Sequence, residues 1–246
     1  MTEPVLIIGA TSAIARALAR ALAAAGHDLY LAARDADELA RLAADLHVRF
    51  GVRTAFGSHD IADTNSHENL LAAADETLGG FGGVVMASGL LGDWPQARED
   101  DDLAARVFAV NFTAPALFLN RCARRLEAKG GGFIVGIGSV AGDRGRQSNY
   151  IYGASKGGFA LYLQGLRNRL YRAGVHVMTV KPGFVDTAMT YGLPGLFLVA
   201  SPEAVASDIM RGLRRRRDVI YTPWFWFGIL WIIRQIPERL FKRLSL

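Results

Sequence analysis

The sequence has few of the residues that would define several classes of protein. Cys122 is the single cysteine among 246 residues, so no disulfide can form within the chain, which favours a reducing compartment. The five histidines are scattered without the spacing of a metal site, and we expect no metal. The first residues carry neither a charged leader nor a cleavage site, so we expect no signal peptide and a cytoplasmic location.

A broad basic surface is also missing. The chain has 28 Lys and Arg against 23 Asp and Glu, a net charge of +5. Nine of those basic residues and two of the acidic ones lie in residues 211–246, so the rest is close to neutral. This distribution does not favour nucleic-acid binding. It suits a local contact, for which the inner face of an anionic membrane is one candidate.

Short apolar runs alternate with amphipathic segments along most of the chain. The runs predict strands at 5–8, 29–33, 52–56, 83–87, 133–137, 175–180 and 219–221. The segments predict helices at 14–25, 37–50, 70–78, 103–129 and 150–172, and one that begins at Ser201 and Pro202. Strands that alternate with helices indicate an α/β fold, here a single doubly wound parallel sheet (Rossmann) of about seven strands with helices on both faces. A ligand should lie at the carboxyl ends of the strands.

Tyr152 and Lys156 are the most informative pair of residues. Four residues apart in a predicted helix, they share one face. An ammonium group beside a phenol lowers a pKa that is ordinarily about 10, which makes the phenol a usable acid or base. Ser139, which follows an apolar glycine-rich run, could hold a carbonyl oxygen at the same point. This trio suits a site that protonates an oxygen while hydride reaches the adjacent carbon.

With these motifs in this order, residues 4–222 resemble the short-chain dehydrogenase/reductase family. The resemblance implies a nicotinamide-dependent ketone/alcohol oxidoreductase with Asn111, Ser139, Tyr152 and Lys156 as catalytic residues. In the family's pattern Asn111 would hold a water that links Lys156 to solvent. The residues that the resemblance assigns to the cofactor are Gly9, Thr11, Ser12, Ala13, Ile14, Arg34, Asp60, Ile61, Ser88, Gly89, Tyr152, Lys156, Pro182, Gly183, Val185 and Thr187.

Two motifs depart from the family pattern. The phosphate loop keeps Gly9 but has Ala13 and Ala15 where the pattern has glycine, so we expect a slightly displaced cofactor over a helix N-terminus that still binds its phosphates. After the fourth strand, the segment 86–89 reads Met-Ala-Ser-Gly instead of Asn-Asn-Ala-Gly. Another group must then stabilise this turn, and Ser88 is the candidate.

The end of the second strand bears on the choice of cofactor. Ala32 and Ala33 stand where a carboxylate would bind the ribose hydroxyls of NAD, and Arg34 follows. Because Arg suits an additional phosphate, NADP(H) is favoured over NAD(H). By resemblance, Asp60 would cap the adenine amino group.

Two apolar segments bear on the substrate. Residues 188–200 form a lid over the substrate in the family pattern. We therefore expect residues 1–222 to form one Rossmann domain that includes this lid. Residues 223–246 are a basic, aromatic tail with three tryptophans. The apolar part of the tail is too short to span a membrane. It is either a membrane-surface anchor or a terminal helix that packs on the lid or in the interface of the homo-oligomer that the family suggests.

The tail and the loop at Gly9 are also similar to the reductase subunits of decaprenylphosphoryl-ribose 2-epimerase. This resemblance implies a lipid-linked substrate, a polyprenyl-phosphate keto-sugar. The alternatives are a reductase of 3-oxoacyl chains or another hydrophobic ketone, and a sensor that binds NADP(H) without turnover.

Overall fold

A single parallel sheet forms the centre of the computed structural model, which describes residues 2–92, 94–192 and 196–244. Its seven strands run in the order β3-β2-β1-β4-β5-β6-β7. Their bounds are β1 Val5–Ile8, β2 Leu29–Ala33, β3 Thr54–Ser58, β4 Gly83–Met86, β5 Gly132–Ile137, β6 Val175–Pro182 and β7 Val219–Thr222. The strand order reverses between β1 and β4, so the loops after these two strands diverge and leave a crevice.

Helices cover both faces of the sheet. They are α1 Ala13–Ala24, α2 Ala36–Phe50, α3 His67–Leu78, α4 Trp94–Ala97, α5 Asp101–Phe108, α6 Ala114–Lys129, α7 Tyr150–Leu170, α8 Pro202–Arg214, α9 Trp226–Gln235 and α10 Glu238–Phe241. One hydrophobic core joins α1, α2 and α8 to the sheet. A second joins α3, α6 and α7 to the opposite face. The strands read as continuous apolar runs because both of their faces are buried.

The structure confirms the predicted fold class and corrects several element bounds. The predicted helix 103–129 begins at Asp101 and is divided into α5, a π-helical turn at Ala109–Thr113, and α6. Strand β3 lies two residues further along the chain than predicted. Helix α7 ends at Leu170, and a 3-10 turn follows. The short helix α4 was not predicted.

The stretch Asp101–Lys129 is long and apolar enough, by length and composition alone, to cross a membrane. In the structure its α6 portion packs on the sheet, where Phe118, Leu119 and Cys122 are fully buried. The second core therefore accounts for the buried part of this stretch.

The tail folds back onto the body. Trp226 and Leu230, one turn apart on α9, are buried against Val140. The guanidinium of Arg144 donates to the carbonyl oxygen of Ile236 at 3.2 Å. It also pairs with Glu238 at 2.8 Å and lies 4.1 Å from the centre of the Phe241 ring.

Candidate functional site

One cleft of about 1130 Å³ opens at the carboxyl ends of the strands. Every residue that the sequence assigned to catalysis or cofactor binding lines it, except Asn111. The cleft extends from the loops after β2 and β3, across the crevice beside β1, to the loops after β5 and β6. Its size and shape suit a dinucleotide together with a second molecule.

Gly9 allows the loop after β1 to pass close to the loop after β4. Its φ is +76°, and a Cβ atom there would lie 2.8 Å from the backbone carbon of Ala87, so no other residue fits. Ser12 caps α1 by accepting a hydrogen bond from the amide of Ala15 at 3.4 Å. Thr11, Ala13 and Ile14 line the same loop, and Ala15 is fully buried. The N-terminus of α1 thus faces a compact loop of the kind that binds phosphate.

Two arginines line the far end of this loop. Arg34 follows β2 and is exposed to the cleft. Arg16, which the sequence reasoning missed, reaches the same end from α1, pairs with Glu38 and donates to the carbonyl oxygen of Thr11 at 2.9 Å. Asp60 accepts a hydrogen bond from the amide of Ala62 at 3.0 Å, so it forms a turn at the cleft edge. Ile61 beside it is buried.

The turn after β4 is held from the facing helix. Asn111 lies in the π-helical turn, is 1% exposed, and binds both peptide groups of Leu90 at 2.8 and 2.7 Å. Its amide also donates to Ser155 at 3.1 Å. Ser88 contributes weakly, through a 3.4 Å bond to the carbonyl oxygen of Val110. Asn111 therefore supplies most of the support that the Met-Ala-Ser-Gly segment lacks.

Ser139 and Tyr152 meet in the cleft. Ser139 accepts a hydrogen bond from the amide of Ala141 at 3.1 Å and makes another with the phenol of Tyr152. We expected Lys156 to lower the pKa of Tyr152, and this expectation was wrong for the free protein. Burial raises that pKa, and only the bond with Ser139 opposes the rise.

Lys156 is buried one turn after Tyr152 and is 3% exposed. Its ammonium group donates to the carbonyl oxygens of Ile137 at 3.1 Å and Ser88 at 3.4 Å. Desolvation lowers the pKa of Lys156 to about 8. A Cβ atom on Gly89 would lie 3.5 Å from the Lys156 ammonium nitrogen, so this lysine lies directly against the loop after β4.

The segment after β6 forms the opposite wall. Pro182 ends β6, and Gly183 donates to the carbonyl oxygen of Thr222 at 3.1 Å. Val185 is buried and bridges to Ala200. The hydroxyl of Thr187 lies 3.4 Å from that of Thr190, which itself donates to the carbonyl oxygen of Val185.

The predicted lid is closed at its base by the bridge between Val185 and Ala200, while its residues 193–195 lie outside the described residues. On the lid, Phe197 lies 5.6 Å, centre to centre, from the indole ring of Trp226 in the tail. Trp226 also packs on Gly183, where a Cβ atom would lie 1.9 Å from the indole nitrogen. The tail thus forms part of the cleft wall.

The lining residues that sequence reasoning missed include three arginines and a tryptophan of the tail: Arg16, Arg106, Arg146 and Trp226. Arg16 could have been found, because it lies one turn into the helix after Gly9. The sequence offered packing of the tail on the lid as one alternative but did not indicate its contact with Gly183, so Trp226 was not assigned to the cleft.

The fold and the cleft define a nucleotide-binding enzyme of the Rossmann type, and comparison with known proteins identifies the family. The short chain dehydrogenase family matches residues 3–194. An uncharacterized oxidoreductase of Mycobacterium tuberculosis is 34% identical over 98% of this chain and 96% of its own length. One of Streptomyces coelicolor is 36% identical over 97% and 94%. The human 3-oxoacyl-[acyl-carrier-protein] reductase is 30% identical over 78% and 80%.

Comparison with solved structures supports the same family. The bulky-bulky ketone specific alcohol dehydrogenase from Comamonas testosteroni has a TM-score of 0.81 and 25% identity, and the match covers 96% of this chain and 95% of that one. A short-chain dehydrogenase from Sphingobium yanoikuyae in complex with NADPH has a TM-score of 0.77 and 27% identity, with 96% of each chain covered. The chain belongs to the short-chain dehydrogenase/reductase family and is an oxidoreductase of that family.

Proposed function

We propose that this oxidoreductase uses NADP(H) to reduce the keto group of an apolar or lipid-linked substrate. The observation that carries the proposal is the convergence of Ser139, Tyr152 and Lys156 in one cleft beside a phosphate-binding loop. The assignment of roles to individual residues is part of the proposal.

The cleft fits a dinucleotide phosphate. Gly9 leaves a cradle that a Cβ atom would fill, and the N-terminus of α1 offers unpaired amides to a pyrophosphate. Arg34 is the residue that would hold the additional phosphate of NADP, with Arg16 beside it. Both alanines at the end of β2 leave that position without a carboxylate. When bound, the reduced cofactor supplies the hydride that reaches the carbonyl carbon.

The remaining chemistry is proton transfer to the carbonyl oxygen. Burial raises the pKa of Tyr152, so its phenol is protonated at neutral pH, which is the state that a reductase needs in its acid. Ser139 would donate to the same oxygen and stabilise its developing charge. Lys156 is positively charged below its pKa of about 8 and would stabilise the phenolate left after the proton has moved, while it binds the nicotinamide ribose.

Replacement of Tyr152 tests the assignment. We expect Tyr152→Phe to abolish NADPH oxidation with every ketone while NADPH binding, measured by fluorescence titration, changes less than threefold. Loss of both would indicate a structural role for the phenol. Retained turnover would refute the assignment, and an absence of turnover in the wild type with all ketones would favour the sensor.

Apolar side chains are exposed on the tail and on the lid, two segments that also contribute residues to the cleft lining. The outer face of α9 exposes Phe227, Trp231 and Ile232, and Trp224 before it is 81% exposed. The lid adds Tyr191, which is 91% exposed. The contact between Phe197 and Trp226 joins the lid and the tail. Tryptophans beside basic residues suit the membrane interface, and a protein docked there would face its cleft toward a lipid-linked ketone.

Vesicle sedimentation tests this contact. We expect the protein to bind vesicles of phosphatidylcholine with phosphatidylglycerol, more weakly at high salt, and the double variant Trp224→Ser/Trp231→Ser to lose at least tenfold in affinity. Tyr171→Ser is the matched control, because Tyr171 is also exposed but lies after α7, outside the tail. Equal binding by all three proteins, or none by the wild type, would exclude a membrane role for the tail.

The alternative substrate is a 3-oxoacyl chain, which the human relative favours. An assay in detergent with a polyprenyl-phosphate keto-sugar and with 3-oxoacyl thioesters separates the two.

We also propose a homo-oligomer that pairs α6 and α7, whose outer faces expose Leu117 and Leu161. Sedimentation velocity tests it, and a monomer at micromolar concentration would refute it.

A further inference from the structure

The carboxylates in the cleft lining are confined to one end. The acidic residues in its lining are Asp35 and Asp60, both on loops at the adenosine end. At the other end, Lys156 lies on α7, Arg146 on the loop before α7, and Arg106 on α5, which packs on α7. Among the described lining residues, this end therefore has cations and no carboxylate.

Arg146 lies on the loop between Ser139 and Tyr152 and is half-buried. Desolvation lowers its pKa, and no acidic group counteracts the effect. Within residues 2–92, 94–192 and 196–244, its guanidinium has neither an ion pair nor a hydrogen bond, in contrast to other partly buried arginines. Arg125, for example, binds Glu68 and Asp75.

An unpaired guanidinium in a partly desolvated wall is unfavourable unless a ligand pairs with it. The cofactor phosphates do not fill that role, because their loop follows β1, which is two strands away from β5 in the sheet. Arg106, on α5, lies on the same stretch of cleft but is exposed, so water already solvates its charge. A bound anionic ligand would therefore change the environment of the Arg146 charge more than that of the Arg106 charge.

We infer that Arg146 is a specificity residue that binds an anionic group of the substrate, a carboxylate, phosphate or sulfonate, close to the keto group. The inference rests on the proposed function and narrows its substrate class. Arg suits this role because its planar fork binds two oxygens of such a group. Arg106 adds a weaker, solvent-screened attraction at the cleft mouth.

A matched pair of ketones tests the inference. The pair is 4-acetylbenzoate and its methyl ester, which share the ketone and differ in charge. Binding to the enzyme–NADP⁺ complex is measured by calorimetry, and NADPH-dependent reduction is followed separately. We expect the wild type to bind the acid at least tenfold more tightly than the ester. A charge-assisted hydrogen bond corresponds to about 10- to 100-fold in affinity, so Arg146→Gln should remove the preference.

Three variants complete the experiment. Arg146→Lys should keep part of the preference, because it retains the charge without the fork. Arg106→Gln should reduce it by less than threefold. Arg172→Gln is the control, because it changes the net charge equally at an exposed site outside the cleft. A ratio of acid to ester affinity that is the same in the wild type and Arg146→Gln overturns the inference. Failure of turnover with both ketones, while the binding ratio behaves as expected, counts against the proposed function alone.

Discussion

The buried Lys156 should make the free protein less stable than it would be without that charge. Its pKa falls from an ordinary 10.5 to about 8, and one pKa unit is worth about 1.4 kcal/mol. Holding the ammonium group in the folded state therefore opposes folding by about 3 kcal/mol at pH 7. The unfolded chain binds more protons than the folded one between pH 8 and 10.5, so stability rises as the pH increases through that window.

The substitution Lys156→Met removes this charge. At pH 7 the variant gains about 3 kcal/mol of stability, because no charge has to be buried. It also leaves the carbonyl oxygens of Ile137 and Ser88 without their donor, which costs about 1 kcal/mol each. Between pH 7 and pH 9.5 the wild type should recover about 2 kcal/mol that the variant cannot recover. The difference in the free energy of unfolding, variant minus wild type, should therefore fall by about 2 kcal/mol over that range.

Urea denaturation of the cofactor-free proteins at the two pH values measures this difference. Lys242→Met is the control, because it removes the same charge from an exposed position. A difference between Lys156→Met and wild type that is constant with pH would refute the reasoning, because it would mean that the buried amine is not destabilised. Under the proposed roles, the same variant loses turnover.

Three further predictions concern contacts around the cleft. Gly183→Ala should lower the free energy of unfolding by about 1–3 kcal/mol, because its Cβ atom would collide with Trp226. In a protein that already carries Trp226→Ala, Gly183→Ala should be nearly neutral. Additive losses of stability in the double variant, measured by denaturation, would contradict this prediction. Arg144→Ala should speed tryptic cleavage of the tail. Arg144→Lys should not restore protection, because lysine lacks the planar, forked guanidinium group of arginine. An unchanged rate of cleavage in Arg144→Ala would show that Arg144 does not hold the tail. Asn111→Ala should lower stability by about 2–3 kcal/mol, since both peptide groups of Leu90 lose a buried partner, and a thermal midpoint within 1 °C of wild type, as a rough limit, would disprove that support.

Most of the fold could be predicted because parallel strands buried on both faces read as short apolar runs. Strands β1 and β2 have the predicted bounds. Strand β3 was misplaced because it lies at the sheet edge, where Phe56 is partly exposed and the apolar run no longer marks the strand ends. The π-helical turn at Asn111 was not predictable, because a single inserted residue leaves the local pattern of hydrophobic residues helical.

The sequence by itself determined the order of elements and the residue types at the strand ends, and therefore that Gly9, Ser139, Tyr152 and Lys156 would face one crevice. Topology makes this so, because loops after parallel strands lie at the same edge of the sheet. Only the tertiary structure decided the charge states and the far wall of the cleft. The pKa values of Tyr152 and Lys156 depend on how much protein surrounds these side chains. The packing of Trp226 joins segments that are distant in the chain. Neither property can therefore be predicted from a local sequence pattern.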